Sequence, residues 1–113
     1  MPGINAPYEG RVKIRDSFLA DAGNANSIID LQKLTPAAAF EHYAKNPTTG
    51  IHGYAAPRGL SIEGQAAAAI NCKYNNDPYF VAETFVPHIT HRVRIRQIRV
   101  GATTTARGII IKF

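Results

Sequence analysis

The chain has 113 residues, 45 % hydrophobic and 19 % charged, with 13 Lys and Arg against 8 Asp and Glu and a formal net charge of +5. That length suits one domain with a core of its own, and the composition excludes a disordered chain. The single cysteine, Cys72, excludes an intrachain disulfide, and the positive balance favours nucleic acid, anionic membrane surfaces or acidic proteins as partners.

Residues 1–9 contain Pro2, Gly3 and Pro7 and read as an irregular arm. Ile4 and Tyr8 are its apolar handles for a neighbouring subunit. The first seven residues have neither the basic start nor the apolar stretch of a signal peptide. No apolar run approaches the roughly 18 residues of a membrane span. The expected location is the cytoplasm, or a particle assembled there. Residues 10–113 are expected to form one α+β domain.

Gly10 to Asp16 is the first strand candidate. Within it Arg11, Lys13 and Arg15 alternate with Val12 and Ile14. Asp16 to Gly23 reads as a helical turn or a continuing strand. Asn24-Ala25-Asn26 is a turn signal, and Ser27 to Leu31 a short strand. Thr35-Pro36 opens the clearest predicted helix, since Thr caps well and Pro suits the first helical position. Ala37, Phe40 and Ala44 share one face of it, Glu41 and Lys45 pair four residues apart, and Asn46-Pro47 stops it.

Thr48 to Gly59 reads as a long loop with Ile51 and Tyr54 as its apolar content, suited to an interface. Ser61 to Cys72 is ambiguous, because its four alanines favour helix while Gly64 weakens one. Lys73 to Pro78 is a turn. Tyr79 to Val86 is rich in aromatic and β-branched residues and predicts a strand that Pro87 interrupts. Residues 88–100 and 102–113 predict two more strands about a turn at Gly101, giving an antiparallel meander.

The 88–100 stretch carries the strongest pattern. Arg92, Arg94 and Arg96 alternate with Val93 and Ile95, so an extended chain places cations on one face and apolar groups on the other. With Arg11, Lys13 and Arg15 they make six of the 13 Lys and Arg residues. Alternate residues stand about 6.6 Å apart, a spacing that can follow a single-stranded backbone or a row of carboxylates. The apolar phase then flips, since Ile98 and Val100 are even-numbered. Either a one-residue β-bulge at Gln97 restores the apolar face to the core, or the strand crosses between two packed surfaces.

Chemistry-bearing motifs are sparse. His88 and His91 stand an odd number of residues apart, which puts them on opposite faces of a strand. Cys72 follows Ala69-Ile70 and reads as a small buried thiol. The stretch Gly50-Ile51-His52-Gly53 lacks the spacing and Lys of a phosphate loop. No metal site and no cofactor is expected.

The expected fold is α+β, with an antiparallel sheet of four to five strands, mostly a C-terminal meander, and one or two short helices. The leading expectation for function is a non-enzymatic structural or assembly protein. It docks through a cationic sheet face and the apolar arm and loop onto acidic subunits, or onto copies of itself, in a larger particle such as a virion. The alternative is a single-stranded nucleic-acid binder using the six basic residues, and the third a small enzyme built on His88, His91, Glu83 or Cys72.

Overall fold

The computed structural model describes residues 11–41 and 57–113. The expectations for the arm, for Ile4, Tyr8, Ile51 and Tyr54, and for His42 and His52 lie outside those residues.

Period-two burial defines the strands. β1 (Arg11–Ile14) buries Val12 and Ile14 and turns Arg11 outward. β2 (Ile28–Asp30) buries Ile29. β3 (Phe40–Glu41) buries Phe40, and β4 (Gly59–Glu63) buries Leu60 and Ile62 on one face. β5 (Ala68–Tyr74) buries Ile70 and Cys72, and β6 (Val81–Phe85) buries only Phe85. β7 (Ile95–Arg99) buries Ile95 and Ile98. β8 (Arg107–Lys112) buries Ile109 and Ile111.

Among the described residues all strand pairings are antiparallel, in two four-stranded sheets of order β3-β1-β8-β4 and β2-β7-β5-β6. The buried side chains of both sheets form one cluster. In the first sheet Val12, Ile111 and Leu60 stand in one cross-strand row. In the second, Ile29, Ile98 and Cys72 do the same. The fold is mostly β with few short helices, as the α+β expectation has it.

The order of the C-terminal strands corrects the meander. β5 lies between β6 and β7, and β8 belongs to the other sheet. The cause is where the connections go. After β6 the chain leaves for the edge of the first sheet, where His88 N–H donates to the Ile62 carbonyl at 3.0 Å and His91 pairs with Leu60. After β7, the buried Thr104 hydroxyl donates to the Arg99 carbonyl at 2.6 Å and accepts the Asn71 N–H at 3.0 Å. Thr105 and Ala106 then donate to the Ala69 carbonyl. That segment takes the place beside β5 that a straight continuation of β7 would occupy.

The helix expected after Thr35-Pro36 needs correction, and the ambiguous 61–72 stretch resolves into strands. Residues 37–39 make a single 3-10 turn, and Phe40 is already extended. Thr35 does not cap; its N–H and C=O pair with Asp30. Phe40 packs beside Ile14 across the β1–β3 register, and Arg15 donates from its backbone to the Ala39 carbonyl at 2.7 Å. The alanine-rich 61–72 stretch is two strands joined by a turn. Small side chains at 68 and 69 let the 104–106 backbone close on β5, a tertiary gain that outweighs alanine's helix preference. Among the described residues the one α-helix, α1 (Asp16–Ala20), is a single turn that buries Leu19.

A bulge is present in β7, one residue before the expected Gln97. Cys72 faces Ile98 and Lys73 faces Gln97, but Tyr74 faces Ile95, so Arg96 is the extra residue. A second irregularity lies in β8, where Glu63 opposes Arg107 and Ser61 opposes Ile110. Gly108 sits there at φ 64°, its N–H donating to Asp16 Oδ1 at 2.8 Å. A Cβ on Gly108 would lie 2.6 Å from the Glu63 Cβ. Gly108→Ala is therefore expected to cost about 2 kcal/mol, through both the left-handed backbone and the overlap. Urea denaturation measures it, and a loss under about 0.5 kcal/mol, the size of an ordinary surface change, would contradict the geometry.

Candidate anionic-partner cleft

Side chains on the outer face of the first sheet follow from its register. Directly opposite residues share a face, so Arg11 stands beside Lys112, and Lys112 beside Gly59. Arg58 N–H also donates to the Lys112 carbonyl, at 2.8 Å. Arg58 and Gly59 thus both oppose Lys112, as at a bulge. The Leu60–His91 bridge adds the chain at 90–92 to the same edge. Gly59 permits this approach, since a Cβ there would meet Thr90 Cγ2 at 3.0 Å and the His91 carbonyl at 3.2 Å. Lys112 Nζ donates to Thr90 Oγ1.

The result is an open cleft of about 500 Å³ lined by Arg58, Gly59, Thr90, Arg92, Arg94 and Lys112. Four of these are cationic, and neither a carboxylate nor an aromatic ring is among them. Arg58, Arg92 and Arg94 are exposed. Val93, between the two arginines, packs against the core.

The six basic residues picked from the sequence therefore do not form one ladder. The strand expected from residue 88 begins only at Ile95, and of the residues before it only His91 forms a β-bridge, with Leu60. Arg92 and Arg94 still point outward, because Val93 is drawn in. Arg11 joins them at one remove through Lys112. Lys13 faces Glu41 across the β1–β3 register. Arg15 is committed to the fold, its Nε donating to the Phe40 carbonyl at 3.2 Å. Arg96, the bulge residue, lies in a different depression with Lys73, Asn75, Asp77 and Gln97. Sequence reasoning missed Arg58 and Lys112. Lys112 was legible, as the outward residue between Ile111 and Phe113; Arg58 fell inside a presumed loop.

The residues of the enzymatic expectation are held in other ways. His88 Nε2 donates to the Gly64 carbonyl at 2.7 Å and His91 Nε2 to the Val86 carbonyl at 2.9 Å. The His91 ring also meets Phe85 edge-on, 4.9 Å between centroids. Both imidazoles thus fasten the 86–91 connection. Among the described residues no three His, Cys, Asp or Glu side chains gather as a metal site would require.

Cys72 is buried, and Tyr74 and Glu83 are the ionisable groups that act on it. Burial, then the Glu83 carboxylate, pushes the thiol up to about 11. Burial, then Cys72 and Glu83, pushes Tyr74 up to about 12. At neutral pH the thiol stays protonated, and the thiolate is the nucleophilic form.

Comparison with family models, curated proteins and solved structures finds no match. No helix among the described residues is long and apolar enough to cross a membrane.

The raised thiol and phenol give a signed pH dependence. Each favours the protonated form in the fold, so its contribution is complete below the ordinary value and is lost as pH rises through the folded one. Between about pH 9 and 12 the native chain is expected to lose more stability than Cys72→Ala or Tyr74→Phe. Thermal unfolding across that range measures the difference, and parallel profiles would contradict the assignment. Thiol labelling at pH 8 should be slow in the native chain and fast in denaturant.

Proposed function

We propose that this chain is a non-enzymatic docking module of a larger assembly, whose cationic cleft receives an acidic segment of a partner protein. The observation that carries this reading is the convergence of Arg58, Arg92, Arg94 and Lys112 on a cleft whose lining, among the described residues, holds no carboxylate side chain. Like charges brought this close repel one another and cost the isolated fold stability. An acidic segment relieves that repulsion. It also gains orientation and association rate from complementary fields more than from any single pair.

The lining also favours a protein over a nucleic acid. Sequence-neutral binders of single strands combine a basic groove with rings on which bases stack. Among the described residues no ring lines this cleft. Phe80 is covered by the Arg99 guanidinium, 4.3 Å from its centroid, and Phe85 is buried against His91. Tyr79 is exposed but stands outside the cleft.

The test is calorimetry with a blocked oligoglutamate peptide and with an oligothymidylate of equal charge, at low and high salt. The peptide is expected to bind, and Arg92→Ala with Arg94→Ala to weaken it about fivefold, two exposed charge pairs at roughly 0.5 kcal/mol each. The fold should be unharmed, its stability within about 0.5 kcal/mol of the parent. Tighter binding of the oligonucleotide, with the steep salt dependence of counterion release, would replace this reading with the nucleic-acid one.

A further inference from the structure

The second sheet ends in a strand that the cleft does not explain. β6 is its outermost strand and pairs with β5 on one side; among the described residues nothing pairs with its other side. The other outer strands are occupied or short. β4 takes His91, β2 takes Thr35 through Asp30, and β3 has two residues. β6 runs five residues and buries only Phe85. Of the exposed large apolar side chains among the described residues, Tyr79, Val81 and Val86 lie on β6 or beside it, and Tyr79 is 76 % exposed. A row of unpaired N–H and C=O groups flanked by apolar side chains is a template for another strand.

Charge selects which strand. The only charged residue in β2 is Asp30, in β3 Glu41, in β4 Glu63 and in β6 Glu83. Every outer strand thus carries one acid and no base, while the strand cations lie in the inner strands β1, β5, β7 and β8. Edge pairing between the described strands of two copies therefore brings no cation to Glu83. When β6 meets a second β6 in the antiparallel register centred on residue 83, Glu83 meets Glu83, and like charges directly opposite are destabilising. A charge on an edge strand blocks self-pairing, and it also favours a partner that brings the opposite charge.

We infer that β6 is a strand-addition site for an extended segment of a different protein, apolar at alternate positions and bearing a Lys or Arg opposite Glu83. The segment extends the second sheet to five strands, with main-chain hydrogen bonds along β6. Its apolar side chains cover Val81 and its neighbours. This site is independent of the cleft, which lies at the edge of the other sheet.

The experiment titrates the isotopically labelled full chain with three blocked peptides, followed by amide shifts. The first alternates valine and threonine about a central lysine, the second has glutamate in place of the lysine, and the third is the lysine peptide N-methylated at alternate residues. The lysine peptide is expected to saturate, shifting residues 79–86, and to bind about threefold tighter than its glutamate twin, the worth of one cross-strand charge pair. The N-methylated peptide should not bind. Glu83→Gln should erase the preference, and Glu83→Lys should reverse it. Equal binding of the first two peptides, binding of the N-methylated one, or shifts confined to the Arg92–Arg94 cleft would each overturn the proposal. Concentration-dependent self-association through 79–86 would overturn it in favour of a second copy.

Discussion

The structure turns on the need of β7 to bury two isoleucines an odd number of residues apart. Ile95 and Ile98 are both buried, yet a regular strand would send them to opposite faces. One extra residue, Arg96, reconciles them. With the phase reset, Ile98 meets Ile29 and Cys72 on the second sheet, and Arg96 is the residue left over at the bulge. Upstream of the bulge the same inward pull on Val93 and Ile95 leaves Arg92 and Arg94 outside. The cationic cleft is thus a by-product of core packing, and its arginines are held on the two sides of a side chain packed against the core.

The two connections around β7 supply the rest. The chain from β6 is pinned to the first sheet by His88 and His91, and this brings Arg92 alongside Arg58 and Lys112. The chain from β7 to β8 is turned by Thr104, whose hydroxyl both donates and accepts. Each connection passes from one sheet to the other, so the two layers are joined by local hydrogen bonds as well as by the shared core. A meander would have left β4 without its edge partner and the cleft without one wall.

Much of this was legible in the sequence. Period-two alternation marked β1, β7 and β8, aromatic and β-branched composition marked β6, and the phase flip marked a bulge within one residue of its place. The departures have a common source. Thr35-Pro36 and the alanines of 61–72 carry helix signals, but these are worth tenths of a kcal/mol per residue. Burying Phe40 against Ile14, or closing Thr105 and Ala106 onto Ala69, involves distant residues that no window along the chain contains. The site was half legible for the same reason. Arg92 and Arg94 declared themselves by alternation. Arg58 and Lys112 joined them only through strand register, and Arg15 and Arg96 were diverted by a backbone contact and by the bulge.

The central claim is that alternation around a packed valine assembles a cationic cleft for an acidic protein segment. The most direct measurement is a map of amide shifts in the labelled chain as an oligoglutamate peptide is added at low salt. The account predicts that perturbed residues cluster at Arg58–Gly59, Arg92–Arg94 and Lys112. Shifts centred instead on Lys73 and Arg96, or spread evenly over all basic residues, would contradict it.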